Sequence, residues 1–405
     1  MDKRTIVARF SYSNISAIIQ GGLALLIHVV QSGETLWKIA VHYNVTVHAL
    51  EAVNQPPDPN RLAVGQALVV PVPEMIHPGP KPTIEVNAYT YQLGEAAVPS
   101  IEETGRLLTY LSPFAYQMTE NGTLASIDDE PAIAAALAQR AVPMMSVTNF
   151  TATDPGTELA HTVLSTPEYR ENMLSDIVRI MREKGYRGVN IDFENVRPDD
   201  RERYNQFLEL TVNRLHPLGY FVSTALAPKA YAGQPGLLYE AHDYGAHGRI
   251  VDFVVLMTYE WGYRLAPPQA ISPINEMRRV VEYAVTAIPR EKIFLGFQIY
   301  ARDWQLPHVE GQAAATFGIQ GAVERAVRYG AAIQFDTATQ SPFFRYTDEE
   351  GRGHEVWFED ARSAQAKFDL VRQYRLRGIS YWALGYPFPQ NWALLENNFM
   401  IRKWI

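Results

Sequence analysis

The chain has 405 residues, 47% apolar and 20% charged, which suits one large domain beside a small one and excludes a disordered polymer. Its net charge of −8, without a long basic run, speaks against electrostatic capture of nucleic acid. There is no cysteine, so disulfides, thiol catalysis and cysteine zinc sites are excluded.

At the N-terminus, Lys3, Arg4 and Arg9 precede an apolar stretch over 15–30, in the manner of a signal peptide. Gln20 interrupts it and no A-x-A cleavage site follows. Residues 1–25 therefore read as a poorly structured leader or weak anchor, since a stable membrane span needs about 20 apolar residues. From Ile27 a short strand, a Ser32-Gly33 turn and an amphipathic helix with Leu36, Ile39, Ala40 and Tyr43 on one side follow. Thr46 is placed to cap a second helix carrying Val47, Leu50 and Val53. A Pro-rich loop over 54–60 and a returning strand over 62–72 complete a βααβ unit across residues 26–72. Pro71, Pro73, Pro78, Pro80 and Pro82 with Gly79 mark a stiff linker, taken as 73–82.

The remainder, 83–405, alternates. Strands are predicted at 85–90, 107–114, 142–148, 188–193, 221–227, 253–259, 293–298 and 378–382. Helical patterns at 132–139, 168–184, 200–215, 274–287 and 361–377 fall between most of them. Eight strand-helix repeats predict a closed (β/α)8 TIM barrel. A doubly wound open sheet is the alternative, but no G-x-G-x-x-G follows a strand. The gap over 301–360 breaks the rhythm and contains a predicted hairpin, 343–347 with 354–358, read as a loop insertion at the active face.

Within the fourth barrel strand, residues 188–194 are apolar at every second position, with Asn190, Asp192 and Glu194 on the other face. Strands of an all-parallel sheet are normally apolar on both faces, so this polar row needs a functional reason. Two carboxylates about 7 Å apart along a strand, at the strand end where such barrels carry catalysis, fit acid/base chemistry. Tyr89, Phe114, Asn149, Met257, Tyr259, Glu260, Gln298, Tyr300 and Trp382 fall at other strand ends. A barrel would gather them into one cup.

These motifs carry a resemblance to two families. Ser32-Gly33-Glu34-Thr35-Leu36, the Asn54 turn, Leu62-x-Val64-Gly65-Gln66 and Val70-Pro71 resemble a LysM module, which implies binding of N-acetylglucosamine-containing glycans through Gly33, Glu34, Thr35, Asn60, Arg61 and Leu62. The barrel resembles glycoside hydrolase family 18, most closely its bacterial sporulation branch acting on spore cortex peptidoglycan. Asn190-x-Asp192-x-Glu194 matches D-x-D-x-E with Asn for the first Asp. Met257-x-Tyr259-Glu260 matches M-x-Y-D with Glu for Asp. Tyr300-Ala301-x-x-Trp304 matches Y-G-x-x-W with Ala for Gly, and Tyr381-Trp382 carries the tryptophan of the sugar floor. The third-strand S-x-G-G is poorly kept, Ser146 being followed by Val147-Thr148-Asn149.

Asp192 and Glu194 share one strand and are badly placed as opposed partners across a glycosidic bond, whereas an N-acetyl group on the substrate can serve as nucleophile. The resemblance then implies a retaining, substrate-assisted N-acetylglucosaminidase. Glu194 is the acid/base, Asp192 holds the acetamido nitrogen, Tyr259 its oxygen, and Asn190 orients Asp192. Trp382 stacks beneath the sugar, and Tyr89, Phe114, Asn149, Met257, Glu260, Gln298 and Tyr300 line the site.

No metal and no cofactor are expected: there is no H-E-x-x-H, His242 and His247 lie beside a Gly-rich turn, and Asp128-Asp129 and Asp199-Asp200 read as helix caps or solvated turns. The expected partner is peptidoglycan or another N-acetylglucosamine polymer, met by a monomer at the spore or cell envelope, with the LysM module acting as a tether. A chitinase or endo-β-N-acetylglucosaminidase, and a non-catalytic lectin on the same fold, are the alternatives.

Overall fold

A computed structural model describes residues 23–73 and 80–405. The leader expected over 1–25 falls largely outside these residues, as does most of the linker, including Pro78 and Gly79. The N-terminal unit pairs β1 (Leu23–Val29) antiparallel with β2 (Ala67–Pro73), around helices Leu36–Tyr43 and Val47–Asn54. Thr35 and Thr46 cap the two helices, accepting from the backbone N–H of Lys38 at 3.2 Å and of Ala49 at 3.0 Å. The first strand is longer than the sequence suggests. It starts at Leu23, opposite Pro73, because residues 23–26 ahead of Ile27 are also paired with the returning strand.

The catalytic-size domain begins with β3 (Thr83–Thr90), β4 (Tyr110–Pro113), β5 (Val142–Thr148), β6 (Gly188–Asp192), β7 (Phe221–Leu226), β8 (Phe253–Leu256) and β9 (Ile293–Gln298). An insertion follows: β10 (Ala301–Leu306), β11 (Ala315–Phe317), helix Ile319–Arg328, β12 (Gln334–Asp336), β13 (Ser341–Thr347) and β14 (Gly353–Trp357). The expected hairpin is β13 and β14, and it lies within a five-stranded antiparallel sheet of order β11-β10-β14-β13-β12. The eighth barrel strand, β15 (Gly378–Leu384), pairs in parallel with both β9 and β3 and closes the barrel. All eight barrel strands fall where the alternation places them.

Strand parity organises the interior. Val189, Ile191 and Phe193 point outward into the layer shared with the helices, where Met173, Ile177 and Met181 of helix Pro167–Lys184 are buried. Inside, Tyr110 of β4 stacks on Phe253 of β8, its ring centroid 5.4 Å away. These strands are not neighbours, so the rings meet across the lumen. Below them Glu85 accepts from the Tyr110 hydroxyl at 2.9 Å and pairs with Arg377 at 2.7 Å, plugging the N-terminal end. Among the described residues this closes the lumen at the N-terminal end and leaves its mouth at the C-terminal ends of the strands.

Asp129 and Asp200 stand at the N-caps of helices Glu130–Ala138 and Arg201–Leu215, as expected, but neither side chain makes a capping hydrogen bond and both are fully buried. Asp129 accepts from the Tyr116 and Tyr186 hydroxyls, each at 2.5 Å, and pairs with Lys184; Asp200 pairs with His161 at 2.7 Å and Arg203 at 2.6 Å. Such partners offset the cost of burying a carboxylate.

Candidate active site

The strand β6 ends at Asp192, and Glu194 stands just above it at the mouth. Two neighbours fix this backbone. The Asn149 side chain, at the end of β5, accepts from the Glu194 N–H at 2.9 Å and donates to the Glu194 carbonyl at 2.8 Å. On the other side His242 Nε2 donates to the Phe193 carbonyl at 2.9 Å, while its Nδ1 accepts from the Ala227 N–H at 2.7 Å. That pattern requires the neutral ring, and burial holds the His242 pKa down at about 4. Asn195, next in the chain, takes φ 51°, a conformation uncommon outside glycine and one that clusters at functional sites.

Asn149 thus sits in the cup as the sequence suggests but acts on the Glu194 main chain. Sequence reasoning weighs His242 only as a metal ligand and misses this role, because its partner is a backbone carbonyl 49 positions away. For Asn149→Ala we expect kcat to fall roughly tenfold or more with little change in KM, because a shift of Glu194 misplaces the proton donor and not the sugar. Steady-state kinetics separate the two, and a rise in KM alone would assign Asn149 to substrate binding.

The carboxylates titrate abnormally. Asp192 is buried, its Oδ1 has no hydrogen-bond partner among the described residues, and burial together with the charge of Glu194 raises its pKa well above the ordinary range. Burial and the charge of Glu260 push the Glu194 pKa up to about 7. Asn190 does not orient Asp192: its Oδ1 accepts from the Tyr89 hydroxyl at 3.0 Å and its Nδ2 donates to Ser223 Oγ at 2.9 Å. Having both amide ends engaged, it locks Tyr89 beneath the pair.

Three rings form the floor and wall. Trp382 of β15 meets Phe114 edge-on with centroids 4.7 Å apart and Tyr89 at 5.6 Å. Met257 and Tyr259 follow β8. A Cβ at Gly296 would come within 3.0 Å of the Tyr259 ring and 2.4 Å of the Leu256 carbonyl oxygen, so glycine keeps the tyrosine's place open. Glu260, at φ 69°, receives the Arg302 guanidinium on both oxygens, each at 2.8 Å, and also the Tyr300 hydroxyl. This fork ties the insertion to the rim of the cup. Gln298 is brought close but not into the cup: it is fully buried, bonded to Ser272 and, at 3.0 Å, to Glu359.

In the N-terminal module Gly33, Thr35, Asn60 and Arg61 are exposed. Glu34 holds its own loop, accepting from the Gln31 N–H at 2.7 Å and pairing with His28 at 2.8 Å, and Leu62 packs into the module's core.

A paired-carboxyl centre above an aromatic floor, at the open end of a (β/α)8 barrel, defines a glycoside hydrolase. The model of the glycosyl hydrolases family 18 matches residues 117–386, and the chain belongs to that family, with a LysM domain matched at residues 28–71. It is 41% identical to the cortical fragment-lytic enzyme of Bacillus subtilis (strain 168), over 93% of this chain and 99% of that one. The crystal structure of the Bacillus megaterium QM B1551 spore cortex-lytic enzyme SleL superposes with TM-score 0.89 at 35% identity, covering 95% of this chain and all of that one. That of the Bacillus cereus enzyme gives 0.89 at 36% identity, covering 94% and 99%. Among the described residues no helix is long and apolar enough to cross a membrane.

Proposed function

We propose that this chain hydrolyses β-1,4 bonds after N-acetylglucosamine in peptidoglycan of the spore cortex, acting as a monomer at the spore or cell wall by a retaining, substrate-assisted mechanism. The observation that carries the reading is the carboxyl pair, with Glu194 half protonated near neutrality and Asp192 buried with a vacant acceptor. The sugar lies on Trp382 against Phe114 and Tyr89. The acetamido N–H meets Asp192, and the Tyr259 hydroxyl donates to the acetamido oxygen. That oxygen attacks C1 as Glu194 gives its proton to the departing oxygen, leaving an oxazolinium ion. Glu194, now a carboxylate, takes a proton from water, which opens the ring with net retention.

The domain limits that go with this reading are a LysM module over 26–72 and a catalytic domain over 83–405. The relatives named for cortex lysis support the substrate.

Since Glu194 must carry a proton to start the cycle, kcat/KM should fall as pH rises through about 7. Asn190→Asp would add a third carboxyl to the lumen, raise the pKa values of the other two and move this limb to higher pH. A limb that stays in place in that variant would count against the electrostatic coupling.

The deciding experiment is digestion of purified cortex fragments and, separately, of chitin oligomers, with products identified by mass spectrometry. New N-acetylglucosamine reducing ends from cortex support the proposal. Cleavage of chitin alone makes the protein a chitinase, and cleavage of neither makes it a glycan-binding protein.

A further inference from the structure

We propose that the LysM module is a fixed extension of the catalytic groove, so that the cup and the module grip one glycan strand at the same time. This rests on the functional reading above. It departs from a module swinging on a linker, and the reason lies first in the sequence of its sheet. Helices cover one face of β1 and β2, so the other face of a free module should be polar. Instead β2 is apolar at successive positions. Leu68 and Val70 turn to the module's own core with Leu36, Ile39 and Leu50. Ala67 and Val69, with Val53 and Ala63, belong to the same buried cluster as the barrel core, and Leu25 and Ile27 pack against it.

Hydrogen bonds fix the docked position. The Ile333 N–H donates to the Val64 carbonyl at 2.8 Å, Arg362 to the Gly65 carbonyl at 3.1 Å, and Gln390 to Asn54 Oδ1 and the Ala67 carbonyl, each at 3.0 Å. Gln320 of the insertion helix donates to the Gln55 carbonyl at 3.0 Å. At Gly65, φ +81°, a Cβ would lie 1.9 Å from the Ile333 carbonyl oxygen, so no side chain fits between the two backbones.

Topology then places the module. Helices of such a barrel begin at the C-terminal ends of the strands, the face that carries the active site. Arg362 is in the first turn of helix Ala361–Tyr374 and Gln390 in the first turn of helix Pro389–Asn398. The module therefore sits on the same rim as Glu194 and Trp382. One loop joins its two roles: Asn60 and Arg61 open it as exposed glycan candidates, and Val64 and Gly65 close it as the docking contact. Arg61 itself reaches the insertion, donating to the Val327 carbonyl at 3.2 Å. Because the two sites are held at a fixed separation, a strand long enough to reach both gains the second contact without ordering a linker.

The test measures affinity for N-acetylglucosamine oligosaccharides of increasing length by calorimetry, on the full chain carrying Glu194→Gln so that nothing is cleaved. The expected result is a rise of at least about tenfold once the oligomer spans both sites, with one oligomer per chain. Adding Gly65→Val should leave short oligomers unaffected and erase the step. Because φ at Gly65 also strains any substitution, Arg362→Ala with Gln390→Ala loosens the same contact from the barrel side and should lower the step.

Equal affinity at all lengths, two oligomers bound per chain, or a step unchanged in both undocked proteins would overturn the proposal. Hydrolysis by the unmutated enzyme is read separately. A length step without any cleavage overturns the functional reading and leaves the composite groove standing, whereas cleavage without a step does the reverse.

Discussion

Glu194→Gln should abolish hydrolysis of cortex fragments, lowering kcat by on the order of 10³-fold or more while leaving the affinity for the glycan within a few fold. Glutamine keeps the shape of the side chain and can neither give a proton to the leaving oxygen nor take one from water. The Asn149 bracket acts on the backbone of residue 194 and is untouched by the change, so a folding defect is not expected. The same variant has a signature in stability. A carboxyl whose folded pKa is raised from 4.5 to about 7 stabilises the fold below its unfolded pKa, and that contribution is lost as pH rises through 7. The penalty at pH 8 approaches about 3 kcal/mol at most. Glu194→Gln should therefore melt at a higher temperature than the parent at pH 8, with the gap closing by pH 4. Retention of cortex hydrolysis by this variant would remove Glu194 from the role of acid/base.

Much of this was legible in the sequence because two periodicities carry it. The barrel strands are written as apolar runs between amphipathic helices, and the row Asn190, Asp192, Glu194 breaks the rule for a buried parallel strand where the chemistry sits. Aromatic strand ends, scattered over the chain from Tyr89 to Trp382, become neighbours only through closure, which β15 pairing with β3 supplies.

Interactions whose partner is a backbone group far away in sequence were not legible. Asn149 and His242 hold residues 193 and 194 through main-chain groups, and no pattern in either segment reports it. Asn190 was expected to serve Asp192, yet Tyr89 and Ser223 engage its amide. The sequence shows only one hairpin of the insertion sheet, because β11 and β12 are three residues each and β10 carries Arg302 and Asp303 side by side, which hides its alternation. The two-sided apolar β2 is a signal of docking that the sequence does carry.

Asp192→Asn is expected to cost on the order of 10²-fold or more in kcat with a smaller change in KM. A buried acceptor without a donor costs roughly 1–3 kcal/mol, and Asp192 Oδ1 is in that position. The N–H of an N-acetyl group is the donor that such a pocket can receive.

As the acetamido oxygen bonds to C1, the amide nitrogen acquires positive charge, and the interaction turns from a neutral hydrogen bond into a charge-assisted one. Its strength thus grows on the way to the transition state, which is why the loss should fall on kcat more than on KM. Asparagine keeps the volume but cannot become the carboxylate that a positively charged nitrogen favours. The pKa of Asp192, raised by burial and by the charge of Glu194, gives the companion expectation: its carboxyl destabilises the fold increasingly as pH rises. Asp192→Asn should flatten that dependence, and melting temperatures measured from pH 5 to pH 8 report it independently of activity. An equal loss in kcat/KM for substrates with and without the N-acetyl group would contradict the substrate-assisted role, because only the acetamido group gives Asp192 something to stabilise.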